Sequence, residues 1–507
     1  MCAGVVALHL FLGDIDIDEE FYVTVVRLVA LGDKPYEDFF YSQTPLLPYI
    51  YSMALQPFGG ITLIGGRMFS AVLTVGTIWF SMQIARRQGG RLAGVICGWF
   101  WLNGFVLLYN LTLFKTYALA AFLLTLGVWV VQLPIRLRWR CAISLIAISA
   151  ATGVRLSLAP VVPLVAVHLM LENRGKWVEL VQGYVAGFLG WCVLFLPWML
   201  PDYKTFFANV MGSHLIAYDA AGGWWSVLPE KLFSTQFLIR DFGAPLGGLL
   251  CAAVGFVVIH WGRLRKAGGE NRLLVVFGMI FVVVFLFHYT PRQVVREYHT
   301  VILPLAIVVA SCSFSGFLGM LSVKRLRSGA FAVAMTAVTL AGYPRFTSWF
   351  DPTFHLNDVK KLKEVAEVLR DNTDPGDLAW GFCGLPISEA DLSVPREMAL
   401  GNASYMSDMS NEKAARLKLS NLEYHATFVA RRRPKIVILR ESDFDFDRFY
   451  FNEKEEARRT REMMLASVLE HGYRLVGEFE DYGANSEKIW IYVAGKDGGG
   501  PMNGDKR

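Results

Sequence analysis

Hydrophobic and polar positions divide this chain into two unlike parts. Over the first two-thirds, apolar runs of about 15–22 residues follow one another, separated by short polar connections. Over the last ~160 residues the apolar positions fall back to the helical and strand periods of an ordinary soluble domain. A run of about 20 apolar residues is what a helix needs to cross hydrocarbon. Repeated helical crossings also satisfy every backbone polar group internally, as lipid demands. The runs predict spans over residues 61–85, 92–110, 116–133, 141–153, 156–171, 179–200, 243–261, 272–290, 300–321 and 329–344. The first stretch, Ala3 to Leu12, is too short to span and runs into acids, so it reads as the remainder of a first helix. A cleaved signal peptide would carry basic residues before it, and none stand there.

The expected organisation is a multi-span membrane domain over residues 1–345 and a small α/β domain over 346–507. In the latter, Asp358–Arg370, Asn411–Arg433 and a stretch ending near His471 have helical character. Lys435–Leu439, Tyr473–Phe479 and Lys488–Val493 read as strands. Composition agrees: 54% of residues are hydrophobic and 18% charged, against about 25% charged in soluble domains. The seven cysteines show neither a disulfide framework nor zinc-type spacing. No phosphate loop, dinucleotide fingerprint or nucleophile elbow is present, and nucleic acid is not an expected partner.

The placement of charge says more than its total. Every second connection is basic: Arg86-Arg87 with Arg91, Arg136 to Arg140, Arg174 with Lys176, Arg263 to Lys266, and Lys324 to Arg327. By the positive-inside rule these loops are cytoplasmic. Four regions are then expected outside: residues 13–60, the loop 201–242, the segment around Thr290–His299, and everything after 345. The acid-rich first loop and the soluble domain would share one face of the inner or plasma membrane.

That first loop places five carboxylates, Asp14, Asp16, Asp18, Glu19 and Glu20, within seven residues, ahead of an amphipathic helix starting near Phe21. Asp14, Asp16 and Glu20 read as a solvated acidic collar. A carboxylate held near the bilayer surface and partly desolvated has a pKa suited to a general base. Asp18 is also placed to cap the helix. The acids supply oxygen ligands of the kind a divalent cation takes, although no metal site is defined. Lys34 and Asp38 follow in the same loop. Outer-side cations run against the positive-inside trend: Arg67, Lys115, Arg155, Arg292 and Arg296. Such groups pair with acids, line a ligand path, or snorkel to the headgroups. Arg155 separates two short apolar runs, which suggests helices broken around a polar cavity. Acids and cations on one face suit transfer of a sugar from a polyprenyl phosphate: a base takes the acceptor's proton, while cations stabilise the phosphate that leaves.

Asp18-Glu19, the helix after it, and Pro35-Tyr36, Asp38-Phe39-Phe40 and Gln43-Thr44-Pro45-Leu46 resemble the first outer loop of the dolichyl-phosphate-mannose–protein mannosyltransferase superfamily. Its bacterial relatives include the aminoarabinose and galacturonic acid transferases of lipid A and core lipopolysaccharide. Tyr298-His299 with Leu303-Pro304 before a span is similar too. The resemblance implies the C-type glycosyltransferase fold, a polyprenyl-phosphate sugar donor and inversion at the anomeric carbon. It assigns the catalytic carboxylate to the pair Asp18 and Glu19. Their outer position, and for Arg155 the broken apolar run, makes Arg155, Arg292 and Arg296 candidates for a clamp on the donor phosphate, and Asp38, Lys34, Arg67, Tyr298 and His299 are further candidates for substrate binding. The chain departs from the pattern at Tyr109–Lys115, where many relatives carry an acid.

The acceptor, whether glycolipid, cell-wall glycan or protein, is left open. The competing class is a transporter or flippase of lipid-linked sugar, which broken helices and intramembrane charge would fit. The large outer loop, the outer domain and the lack of internal repeat weigh against it. A catalytically dead relative would have lost the Asp18-Glu19 pair, which is present.

Overall fold

The computed structural model describes residues 2–10, 14–58, 60–212, 272–288, 296–321, 323–348, 358–407, 409–444, 454–483 and 486–495. The span expected over 243–261, and most of the loop before it, lie outside the described residues.

Among the described residues, nine α-helices open the chain: α1 (Cys2–His9), α2 (Ile17–Ala30), α3 (Leu46–Leu55), α4 (Leu63–Asn103), α5 (Phe105–Thr112), α6 (Thr116–Val131), α7 (Leu137–Thr152), α8 (Val161–Glu172) and α9 (Trp177–Met199). Among the described residues, the longer helices that follow in the apolar part are Arg272–Phe287, Leu303–Met320 and Lys324–Ser348. The span expected over 61–85 and most of that over 92–110 fall in one element, α4, broken at Gly90 where φ is 83°, and the end of the second lies in α5. Glycine reaches that left-handed backbone without a Cβ penalty, and the basic run Arg86–Arg91 lies at the break. Among the described residues, α4, α9 and Leu303–Met320 are long and apolar enough to cross a bilayer; the α5–α6 pair, bent by 105°, makes a fourth if counted as one span. The predicted span at 156–171 is interrupted, with a 3-10 turn at Leu156–Leu158 ahead of α8.

Close approach between the helices depends on glycine. A Cβ at Gly183 would lie 2.5 Å from that of Cys141, and one at Gly187 would lie 2.9 Å from that of Leu145. This four-residue spacing of small residues is how helices pack when lipid removes the hydrophobic drive between them. The opposite face of α9 exposes Val181, Val185, Phe188, Leu189 and Val193. An apolar stripe of this kind suits lipid rather than water. The chain is a membrane protein.

The C-terminal domain carries a four-stranded sheet of order β1-β2-β4-β3: Ala379–Trp380, Ile436–Arg440, Glu487–Ala494 and Tyr473–Tyr482. The β1–β2 pair is parallel and the other pairs are antiparallel. Three strands fall where period-2 patterning put them; β1 is too short to show a period. The helix expected over Asn411–Arg433 divides into Asn411–Leu417 and Leu422–Arg432. Lys418 adopts a left-handed conformation and Asn421 caps the second piece.

The domain sits directly on α2. Arg27 pairs with Asp391 at 2.7 Å and donates to the Ser388 carbonyl. Arg396 pairs with Asp33 at 2.5 Å. Gly384 packs so tightly on Thr24 that a Cβ would lie 2.2 Å from its hydroxyl.

Candidate functional site

The site is built on the first turn of α2. Asp16, rather than Asp18, is the N-cap: its Oδ1 accepts from the Asp18 amide at 2.9 Å, and Glu19 Oε2 accepts from the Asp16 amide at 3.3 Å, completing a capping box. Asp18 is the second helical residue, which corrects its expected capping role and leaves its carboxylate free for other work. Three acids in succession on a helix diverge by about 100° per residue. Accordingly Asp18, Glu19 and Glu20 each meet a different cation.

Glu19 is completely buried and takes a forked pair from Arg67, with Nε to Oε1 at 2.8 Å and Nη2 to Oε2 at 2.5 Å. Oε1 also accepts from the Phe114 amide at 2.8 Å. The amide is brought there because Phe114 lies against Gly66, where a Cβ would come within 1.9 Å of the ring. With the Asp16 amide, four donors converge on this carboxylate, which has about four acceptor positions in all.

Asp18 faces the corner between α5 and α6. The buried Lys115 ammonium sits there, 2.8 Å from Asp16 Oδ2, 3.2 Å from Asp18 Oδ2 and 3.1 Å from Glu297 Oε2. Glu297 reaches in from the 3-10 turn Arg296–Val301. Three carboxylates thus close on one ammonium. Burial pushes the Asp18 carboxyl above its ordinary value, while Lys115 pulls against that shift. Asp18 is crowded by neighbours yet keeps 45% of its side chain exposed.

Beside it lies Arg155, in extended backbone at the break between α7 and α8. Its Nη1 donates to Thr116 Oγ1 at 2.7 Å, and its guanidinium lies 4.7 Å from the Tyr117 ring centre and 5.0 Å from that of Tyr298. It has no carboxylate partner among the described residues, and its buried Nε makes no hydrogen bond. Tyr22 and Tyr41 are within electrostatic reach of Arg155, and the buried Tyr41 hydroxyl has no hydrogen-bond partner among the described residues. The break is held by the first-loop motif: Leu46 N donates to the Gly153 carbonyl at 2.8 Å and Thr44 Oγ1 to that of Thr152 at 2.9 Å.

Among the sequence candidates, Asp18, Glu19, Arg67, Arg155 and Tyr298 come together here. His299 lies beside the cluster, stacked on Phe285 and 3.4 Å from His288. Lys34 and Asp38 do not join it. The Asp38 carboxylate accepts from the Lys34 amide at 2.8 Å, and the Lys34 ammonium pairs with Glu37 at 3.3 Å, so they shape their own turn. Arg292 lies outside the described residues, as does the side chain of Arg296. The solvated collar is corrected as well. Asp16 is engaged as above, the Asp14 carbonyl accepts from Arg67 at 2.8 Å, and Glu20 is 1% exposed against Arg440. Sequence reasoning did not single out Glu297; an acid just before a span was its one visible signal. Among the described residues no group of three or more His, Cys, Asp or Glu is arranged to hold a metal ion, and where Asp16, Asp18 and Glu297 converge the cation is Lys115.

No family model and no curated protein matches the chain. Solved structures do. ArnT of Cupriavidus metallidurans bound to undecaprenyl phosphate is similar with a TM-score of 0.63 at 13% identity, covering 99% of this chain and 98% of that one. Its apo state gives the same TM-score and identity, over 98% and 97%. The oligosaccharyltransferase of Archaeoglobus fulgidus tethered to an acceptor peptide gives 0.50 at 12% identity, covering 99% and 74%. These neighbours are C-type glycosyltransferases, and the fold of this chain is theirs.

Proposed function

We propose that this protein is a membrane glycosyltransferase that moves a sugar, with inversion, from a polyprenyl-phosphate donor to an extracytoplasmic acceptor. The observation that carries the proposal is the presence together of Asp18, an anchored and half-exposed carboxylate, and Arg155, a nearby cation that has no carboxylate partner among the described residues. The bound lipid phosphate of the structurally similar ArnT supports it as an analogy of fold.

In this reading the Asp18-Glu19 pair divides its labour. Glu19, with four donors on it, fixes the turn. Asp18 takes the proton from the acceptor hydroxyl as its oxygen bonds to the anomeric carbon. The bond from that carbon to the phosphate oxygen breaks, and its electron pair leaves with the phosphate. A phosphate is already an anion, so it needs a cation rather than a proton. Arg155 supplies that charge and a planar donor face. Lys115, outnumbered three to one by carboxylates, serves to hold Asp18 in place and favour its ionised form. Tyr298 and Tyr117 flank the guanidinium, and His299 lines the same side. The chemistry is common to a glycolipid, a glycan and a protein hydroxyl as acceptor.

The alternating basic loops support a multi-pass topology with the site and the C-terminal domain on the outer face. A maleimide that cannot cross membranes should label an Asp374→Cys variant in intact cells. Labelling only after lysis would reverse the topology.

The function itself is tested with purified Asp18→Asn. It keeps the shape of the side chain but cannot take a proton at neutral pH. It should fold and bind the lipid donor, yet lose about 100- to 10,000-fold in transfer rate. Transfer at the wild-type rate would refute the assignment.

A further inference from the structure

The third acid of the triplet has no part in this chemistry, yet it is the most deeply committed of the three to a distant element. Glu20 Oε2 lies 3.3 Å from Arg440 Nη1, 420 residues along the chain, and both side chains are 2% exposed. Arg440 ends β2 and is itself held on two sides. Its Nε is 3.0 Å from Glu487 Oε2 and 3.6 Å from Asp443 Oδ1, and its amide donates to Asp443 Oδ2 at 2.7 Å. Glu487 opens β4, which pairs with β2 through Arg440 and Ile489. A second contact reaches the same turn from the other side. The buried Asp358, which opens the first helix of the C-terminal domain, accepts from the Ile15 amide at 3.0 Å, one residue before the N-cap.

We infer that the C-terminal domain is a working part of the site, with Asp358 and Arg440 as positioning residues that hold the first turn of α2 and so set Asp18 against Lys115. Two anchors, at Ile15 and Glu20, bracket the base by three and two residues. A rigid helical turn between fixed ends transmits their position to the side chain between them. The contacts of Arg27 hold the far end of α2 and cannot do this. The inference rests on the reading of Asp18 as the base.

The test uses the full-length protein reconstituted in nanodiscs. Glu20→Ala cuts one anchor and leaves Arg440 with Asp443 and Glu487, so no charge is stranded; Asp358→Ala cuts the other. Each should lower kcat about 10- to 100-fold, since small misplacements of a reacting group cost that much. KM for the polyprenyl-phosphate sugar should stay within about twofold, because uniform binding is untouched. Glu20→Gln and Asp358→Asn retain an oxygen that can accept the same hydrogen bonds and should restore most of the rate. Hydrogen exchange should show faster amides over residues 17–22 in the alanine variants and not in the amide variants. Wild-type kcat in both alanine variants overturns the proposal, as does a lower Tm with unchanged kcat per folded molecule. If Asp18→Asn retains activity, the base is misassigned, and the exchange comparison still decides whether the two anchors hold the turn.

Discussion

Arg67 lays two guanidinium nitrogens on the two carboxylate oxygens of Glu19, at 2.8 and 2.5 Å, with both side chains completely buried. This ion pair joins α4 to the turn that carries Asp18. A buried pair of this kind adds little net stability compared with a well-packed apolar pair, but removing one partner strands the other and costs about 3–5 kcal/mol. Arg67→Met should therefore sharply reduce the yield of folded protein and lower its Tm in detergent. A folded variant with wild-type Tm would show that the pair is dispensable.

Glu297 adds a third negative charge around Lys115 and helps hold the Asp18 carboxyl above its ordinary value, after the larger effect of burial. A general base must be ionised, so kcat/KM should fall as pH drops through the pKa of Asp18. Glu297→Gln removes a like charge and frees Lys115 to favour the Asp18 carboxylate. The acid limb of the kcat/KM profile should move to lower pH in this variant. Movement to higher pH would mean that Glu297 supports Asp18 by some route other than charge.

Arg155 stacks on two tyrosines and keeps donor capacity unspent. Hydrogen bonds to charged groups are worth about 1.5–3 kcal/mol, or roughly 10- to 150-fold in affinity. Arg155→Ala should weaken binding of the lipid phosphate by that factor while Tm changes little. Titration with undecaprenyl phosphate would measure it, and undiminished affinity would move the phosphate elsewhere.

Burial pushes both Glu20 and Asp443 up to about 7, partly offset by Arg440. In the unfolded chain such groups titrate near 4. Between about pH 4.5 and pH 7 the folded protein therefore holds protons that the unfolded chain has released. Their stabilising contribution is complete below the unfolded values and is lost as pH rises through about 7. Tm should fall across that window, and Glu20→Gln should flatten the slope. A wild-type Tm that rises from pH 5 to pH 8 would contradict the sign.

Much of the architecture was legible in the chain itself, because burial in lipid and in a sheet leaves a period. Long apolar runs marked α4, α6, α7 and α9, and alternation marked β2, β3 and β4. The break at Arg155 showed as two short runs, and Asp18-Glu19 was visible through its resemblance to a known loop. What each acid does was not legible. Asp16, Asp18, Glu19 and Glu20 are neighbours of one type in sequence, and only the helical turn sends Asp16 and Asp18 to Lys115, Glu19 to Arg67 and Glu20 to Arg440. Those partners lie far off: Lys115 and Glu297 are 182 residues apart, Arg67 is 48 from Glu19, and Arg440 is 420 from Glu20. Charge pairing at such distances imposes no periodicity and follows from no local propensity, so Glu20 read as a solvated collar until the fold brought β2 to its side. Tertiary structure alone decided which carboxylate is locked, which is anchored to the C-terminal domain, and which is left half-exposed.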